Sequence, residues 1–125
     1  MDDCELVKLA NEAREKAYAP YSGFKVGAAL LCADGTVYTG VNIENAAFGP
    51  SICAERTAFF KAISEGKREF VRIAVTCDRP HCQPCGTCRQ VMIEHAPELE
   101  VLMGSVDGSF VRTTIRDLLP EAFKL

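Results

Sequence analysis

The stretch VGAALLCADGTVYTGVNI, residues 26–43, determines how the chain begins to fold. Residues 26–32 are mostly apolar and predict a largely buried strand. Asp34-Gly35 predicts a tight hairpin turn, because such a turn needs positive φ. Residues 37–43 alternate in character and predict the returning strand of an antiparallel hairpin.

Helical and extended patterns continue on both sides of this hairpin. Apolar residues at helical spacing predict a first helix over residues 2–17. The further predicted elements are a helix at 51–65, a strand at 70–77, a helix at 85–95, a hairpin of strands 98–103 and 110–113, and a short final helix from Thr114. This order, α-β-β-α-β-α-β-β-α, predicts a single α/β domain over residues 1–125, with a mixed five-stranded sheet and helices on both faces.

The composition argues against several classes of protein. A net charge of −3 and the lack of a clustered basic face argue against a nucleic-acid partner. The N-terminus is charged and no apolar stretch approaches about 20 residues, so we expect no signal peptide, no membrane span and a cytoplasmic location. Seven cysteines, an odd number, in a reducing compartment indicate metal binding or catalysis and not a disulfide framework.

Three of the cysteines stand at predicted helix starts. Cys53 begins one helix, and Cys85 and Cys88 begin the next, where a spacing of three puts them on one face. Exposed N–H groups and the positive end of the helix dipole favour thiolates at such positions. Three thiolates suit Zn²⁺ and leave its fourth tetrahedral position for water, which is typical of a catalytic site. We therefore expect one zinc ion per chain.

Two charged residues beside Cys53 complete the predicted chemistry. Glu55 is the candidate general acid and base, and it can face the metal only if the site lies beyond the N-terminal end of the helix. Zinc with three thiolates has an excess of negative charge, which weakens it as a Lewis acid. Arg56 is placed to offset that charge by hydrogen bonding to sulfur, and Arg89 is a weaker candidate.

Two polar residues at the end of the returning strand are candidates for binding a ligand. The two-residue period of a strand places Asn42 and Glu44 on the same face. Both side chains therefore point in one direction, at a strand end where ligands commonly bind.

The candidate metal ligands lie within two longer motifs, Cys53-Ala54-Glu55-Arg56 and Pro84-Cys85-Gly86-Thr87-Cys88-Arg89-Gln90. Together these motifs resemble the signature of the zinc-dependent deaminases. A cysteine at the first position is similar to the small cytidine deaminases in particular. Further similar stretches at 21–29, 42–45 and 118–123 extend the resemblance over almost the whole chain, in order.

The resemblance implies hydrolytic deamination of cytidine and 2′-deoxycytidine to uridine and 2′-deoxyuridine, a step of pyrimidine salvage. Glu55 would protonate N3 of the pyrimidine and relay protons while water activated by zinc attacks C4 and ammonia leaves. The family is typically a homotetramer with sites at subunit boundaries, so the loop from Asn45 to Phe48 is expected to reach a neighbouring site. Phe48 stands where the family often has Tyr. The other implied substrate contacts are Phe24 against the base, the Ala54 N–H at the base O2, and Asn42 and Glu44 at the ribose 3′-hydroxyl.

Two other interpretations compete with this one. Cys82, Cys85 and Cys88 form C-x2-C-x2-C, a spacing also found in structural zinc and iron–sulfur modules without catalytic function. That interpretation leaves Cys53 and Glu55 without a role, and Cys82 is otherwise a loop residue outside the ligand set. The second alternative is a deaminase of another aminopyrimidine nucleoside, including the blasticidin type, against which the ribose-binding set argues.

Overall fold

Four helices and five strands make up the computed structural model, which describes residues 1–125. In chain order they are α1 (Asp3–Arg14), β1 (Gly27–Cys32), β2 (Val37–Val41), α2 (Ala54–Ser64), β3 (Phe70–Cys77), α3 (Gly86–His95), β4 (Glu100–Ser105), β5 (Phe110–Thr114) and α4 (Ile115–Leu118). The strands form one sheet in the order β2-β1-β3-β4-β5. Only β3 and β4 are parallel, because α3 crosses over between them, and the other neighbours are antiparallel. The predicted mixed five-stranded sheet is confirmed.

The sheet is covered on both faces, as predicted. Every residue of β1 is buried, and its side chains alternate between the two faces. Ala29 and Leu31 pack with α1 in the smaller core cluster. Ala28 and Leu30 pack on the opposite face, in the larger cluster that includes residues of α2 and α3. The metal-binding candidates belong to this second face. No helix is both long enough and apolar enough to cross a membrane.

Two glycines let helices approach the sheet directly. A Cβ at Gly40 of β2 would lie 2.3 Å from the carbonyl oxygen of Ala54, in the first turn of α2. A Cβ at Gly27 of β1 would lie 2.1 Å from the carbonyl oxygen of Ala10 in α1. Neither contact is tolerable for a side chain, so glycine at both positions sets the separation of helix and sheet. The close approach at Gly40 fixes the distance between the N-terminus of α2 and the sheet.

Several predicted element boundaries are wrong, and most of them for one reason. The predicted helix over 2–17 ends at Arg14, because Tyr18 instead forms a bridge with Ile43. The predicted helix at 51–65 begins only at Ala54, because Ile52 also pairs with Ile43 and holds the chain extended. This pairing around Ile43 depends on tertiary contacts that local periodicity does not report.

The two hairpins have their turns at the expected positions, whereas the bounds of their strands differ slightly from those predicted. Gly35 and Gly108 have φ of 92° and 91°, which confirms the positive φ expected of the first turn and shows it in the second. The strand predicted at 98–103 runs from Glu100 to Ser105, because Leu99 is still in a turn that bonds to Ala96. The returning strand β2 stops at Val41 and not at residue 43.

Candidate metal centre and active site

The N-termini of α2 and α3 bring three cysteines together. Cys53 is the N-cap residue of α2, Cys85 is the N-cap residue of α3, and Cys88 lies in the first turn of α3. Their three Sγ atoms all lie within 4.8 Å of one another, and those of Cys53 and Cys85 are 3.6 Å apart. The three cysteines singled out in the sequence therefore do converge.

The spacing and the chemistry of these sulfur atoms fit a zinc ion. With zinc–sulfur bonds of about 2.3 Å, two ligands of a tetrahedral site are about 3.8 Å apart, close to the separation of Cys53 and Cys85. Thiolates are ligands that zinc prefers. Three protein ligands leave one tetrahedral position open.

The charge of the cluster is concentrated on Cys53. A hydrogen bond from the Cys88 thiol and a second from Arg56 lower the pKa of Cys53 to about 5. The Arg56 guanidinium lies 3.4 Å from the Cys53 Sγ. The same hydrogen bond to Cys53, together with burial, raises the pKa of Cys88, which therefore keeps its proton in the metal-free protein. Arg56 thus occupies the position predicted for a charge partner.

Glu55 lies beside this cluster as a buried carboxyl group. It is the second residue of α2 and only 3% exposed. Burial raises its pKa to about 7, and the nearby Cys53 charge acts in the same direction. The geometric condition stated for Glu55 is met, because Cys53 is an extended N-cap residue with φ −81° and ψ 157°. Cys53 and Glu55 are therefore not two consecutive helical positions pointing apart.

Asn42 and Glu44 both contact the segment that precedes β1. The Asn42 side chain accepts a hydrogen bond from the Val26 N–H at 2.9 Å and donates one to the Phe24 carbonyl at 2.7 Å. It is 9% exposed. These contacts show that Asn42 holds the backbone around Phe24 in place.

Glu44, two residues after Asn42, has a similar structural role. Its carboxylate accepts hydrogen bonds from the N–H groups of Tyr21 and Ser22 at 3.0 and 3.1 Å, and from the Ser22 hydroxyl. These hydrogen bonds lower the pKa of Glu44 below its usual range. Both polar side chains thus contact the segment that precedes β1, although neither residue lies within β2, which ends at Val41.

A groove of about 440 Å³ is lined in part by residues that the sequence singled out, namely Glu44, Asn45 and Phe48. Its six lining residues are Tyr21, Ser22, Glu44, Asn45, Phe48 and Ser51. Phe48 is 88% exposed at this groove. Phe24 is half-buried against the larger core cluster, and Ala54 is fully buried at the start of α2. Because Ile43 pairs with Ile52, the segment that contains Glu44 runs beside the one that leads to Cys53.

One cysteine pair was missed by sequence reasoning. Cys82 lies outside the ligand set, as expected, but it forms a disulfide with Cys77, at the end of β3, that was not predicted. No local pattern links the end of a strand to the following loop, so the sequence alone does not predict this pair. The alternative C-x2-C-x2-C site is not what the structure shows, because Cys53 and not Cys82 joins the cluster.

Arg89, the weaker candidate for balancing the thiolate charge, has a different role. Its guanidinium donates to the carbonyl groups of Pro84 at 2.8 Å and Leu118 at 3.0 Å. Arg89 therefore ties α4 to the start of α3 and makes no described contact with sulfur.

Comparison with known proteins agrees with this site. Residues 1–103 match the family described as "Cytidine and deoxycytidylate deaminase zinc-binding region". The chain belongs to this family.

Individual deaminases are similar over nearly the full length. The cytidine deaminase of Halalkalibacterium halodurans is 55% identical over 126 residues, covering 98% of this chain and 95% of that protein. The cytidine deaminase of Sporosarcina psychrophila is 50% identical over 125 residues, covering 98% and 92%. The crystal structure of cytidine deaminase from Burkholderia pseudomallei superposes with a TM-score of 0.95 at 52% identity, covering 98% of this chain and all of that one.

Membership of the cytidine deaminase family settles two predictions from the sequence. The chain is an enzyme of the deaminase type, and its cofactor is zinc, for which the three-cysteine cluster is suited. The mixed sheet with helices on both faces is the fold of this family.

Proposed function

We propose that the chain, as a single domain over residues 1–125, hydrolyses cytidine and 2′-deoxycytidine to uridine and 2′-deoxyuridine with release of ammonia. The observation that supports this most directly is the placement of Glu55. Its buried carboxyl group stands beside the cluster of Cys53, Cys85 and Cys88, at the N-terminal end of α2. A metal site with an open position and an adjacent carboxyl group has the parts that hydrolytic deamination requires.

Cys53, Cys85 and Cys88 would hold the zinc ion, which as a Lewis acid makes water a nucleophile at neutral pH. Glu55 is the residue that moves protons. Near neutral pH a carboxyl group with a pKa of about 7 can take a proton from the attacking water and give it to N3 of the pyrimidine. It can then take the proton of the new hydroxyl group at C4 and give it to the leaving amine. Its burial excludes bulk water from that exchange.

The start of α2 also offers a hydrogen-bond donor to the base. The first N–H groups of a helix have no acceptor within the helix. Ala54 is the first residue of α2, directly between the candidate ligand Cys53 and the candidate acid Glu55. We assign its N–H to the O2 of the base, which would hold the ring with its amino-bearing carbon towards the metal.

Arg56 compensates charge in this proposal. Three thiolates on zinc leave an excess negative charge, and the Arg56 guanidinium donates to one of those sulfur atoms at 3.4 Å. Withdrawing charge from the sulfur keeps the metal a stronger Lewis acid.

Asn42 and Glu44 are assigned to the ribose 3′-hydroxyl, with Phe24 packing against the base and Asn45 and Phe48 at the outer end of the site. Asn42 retains one amide N–H, and the Glu44 carboxylate retains acceptor capacity, beyond the contacts that hold the neighbouring segment. Because both residues already have structural contacts, a ribose would bind to groups that are fixed in advance, which lowers the entropic cost of binding.

The decisive experiment compares wild type with Glu55→Gln by following the ultraviolet absorbance of cytidine. We expect the variant to keep one zinc per chain and to lose about 10²- to 10⁴-fold in kcat. Glu65→Gln, at the exposed C-terminal end of the same helix, is the matched control and should retain activity. Wild-type protein that holds zinc and leaves cytidine unchanged would exclude the proposed reaction.

The assignment of Glu44 to the ribose has a separate test, in which wild type and a Glu44 variant are each measured on cytidine and on a substrate without the 3′-hydroxyl group. Glu44→Gln should raise KM for cytidine but have a much smaller effect on 3′-deoxycytidine, which lacks the hydroxyl in question. Equal losses on both substrates would show that Glu44 acts only by holding Tyr21 and Ser22.

We further propose that the enzyme is a cytoplasmic homotetramer whose sites lie at subunit boundaries. Phe48 and Phe123 are 88% and 71% exposed in the single chain, which is unusual for large aromatic side chains and typical of interface residues. Light scattering on the purified zinc-loaded protein should give four chains per particle, and a monomer would contradict this assembly.

A further inference from the structure

Arg79 stands out among the arginines because its side chain forms neither an ion pair nor a hydrogen bond. No carboxylate lies within ion-pair distance of its guanidinium, and its side chain forms no hydrogen bond within the chain. Its guanidinium carbon instead lies 5.1 Å from the centre of the Phe24 ring, above its face. This distance is within the range of a cation–π interaction.

The loop that contains Arg79 is anchored at several points. It follows β3 and is closed by the Cys77–Cys82 disulfide. The His81 N–H donates to the Ser105 hydroxyl at 3.0 Å, and the Cys82 N–H donates to the carbonyl group of Gly104 at 3.0 Å. These contacts fix the backbone of the loop, and they therefore hold Arg79 close to Phe24.

Phe24 has a fixed backbone and a less constrained ring. Its carbonyl group accepts from Asn42 at 2.7 Å, and its N–H donates to the Ser22 hydroxyl at 3.0 Å. The ring is half-buried and packs on the same core cluster as Cys53, so Phe24 lies on the metal side of the sheet. Hydrogen bonds cannot orient a phenyl ring, and the guanidinium of Arg79 is the charged group that lies over its face.

We propose that Arg79 is a positioning residue for substrate binding: its guanidinium covers the Phe24 ring and holds it in the orientation that packs against the pyrimidine base. This inference rests on the proposed function, because it takes Phe24 as the surface for the base. Arg79 touches neither substrate nor metal in this proposal. It acts in the ground state and the transition state alike, so it should affect KM and leave kcat nearly unchanged.

The kinetic test compares Arg79→Met with Arg79→Lys in the zinc-loaded enzyme. Methionine keeps the length and removes the charge, whereas lysine keeps a cation that can still lie over the ring. At partly exposed sites a cation–π contact changes an equilibrium by about two- to fivefold. We expect Arg79→Met to raise KM for cytidine by that factor with kcat within about twofold, and Arg79→Lys to restore most of the loss. Arg116→Met, which removes an exposed ion pair with Glu98, should match wild type.

A spectroscopic test reports on the ring without depending on activity. The seven phenylalanines can be replaced by 4-fluorophenylalanine, and the Phe24 resonance identified as the one lost in Phe24→Leu. Arg79→Met should shift or broaden that ¹⁹F resonance and leave the others in place. If wild type does not deaminate cytidine, the proposed function fails while this spectrum still decides whether Arg79 orients Phe24. An unchanged resonance, an unchanged KM in Arg79→Met, or a loss in kcat alone would each overturn the proposal.

Discussion

Replacing Glu55 with Gln is expected to stabilise the zinc-free protein, and only above a certain pH. Glu55 is 3% exposed, and its carboxyl group must lose its hydration on folding. Its pKa is about 7 in the folded protein against 4.5 for an ordinary glutamate. The folded state therefore binds this proton more tightly than the unfolded chain does.

The sign and the size of this effect on stability follow from the linkage between proton binding and folding. Below about pH 4.5 the carboxyl group is protonated in both states and contributes no pH-dependent cost. As the pH rises to 7, the unfolded chain ionises freely and the folded protein does not, so folding becomes less favourable. Between these values the cost grows to roughly 3 kcal/mol, and it stays at that level at higher pH. Gln at position 55 has no such cost, because it is neutral throughout.

Urea denaturation of chelator-treated protein at pH 5, 6, 7 and 8 measures this cost. The difference in unfolding free energy between Glu55→Gln and wild type should grow by about 2–3 kcal/mol across that series, with most of the change between pH 5 and 7. Glu65→Gln controls for the loss of one negative charge from the same helix. A difference that stays constant with pH, or that falls as pH rises, would refute the account of Glu55 as a buried carboxyl group with a raised pKa.

Three further predictions concern the packing and charge of the metal centre. Gly40→Ala and Gly27→Ala should each lower the free energy of unfolding by at least about 2 kcal/mol, because both added Cβ atoms meet backbone; zinc affinity should fall only for Gly40→Ala, which displaces α2. Zinc binding at pH 7 should release at least one proton, because the raised pKa of Cys88 keeps its thiol protonated without metal; a calorimetric titration in two buffers of different ionisation enthalpy that shows no proton release would contradict that assignment. Arg56→Gln should lower kcat by about tenfold or more and weaken zinc retention, and unchanged values for both would remove Arg56 from the mechanism.

The parts of the fold that the sequence predicted well are those with strong local patterns. The apolar run of β1, the turn glycines at 35 and 108, and the order of all nine elements follow from periodicity and turn chemistry. The boundaries that failed lie around Ile43, which pairs with Tyr18 on one side and Ile52 on the other. Such pairing between segments distant along the chain leaves no local signature, so helical patterns at 15–17 and 51–53 were extended too far.

In the site, too, features with a local sequence pattern were predicted and features that depend on tertiary contacts were not. Spacing and helix-start chemistry were enough to select Cys53, Cys85 and Cys88, which the structure brings together. Asn42 and Glu44 lie beyond the end of β2 at Val41, so strand alternation does not account for their hydrogen bonds to the segment before β1. The Cys77–Cys82 disulfide could not be predicted, because it depends on how the loop folds back after β3.

The start of α2 has three consecutive features that the proposed reaction would use, and two of them, at Cys53 and Glu55, lower local stability. An N-cap position favours Ser, Thr, Asp or Asn, and Cys53 makes no capping hydrogen bond there, which forgoes about 1 kcal/mol. Ala54 leaves its N–H without a helical acceptor. Glu55 buries a carboxyl group without an ion-pair partner. Each of these three features has a counterpart in the proposed reaction, namely a metal ligand, a donor to the base and a proton carrier. Zinc bound between α2 and α3 would restrain both helix starts, so the metal needed for the reaction also stabilises the part of the fold that its ligands weaken.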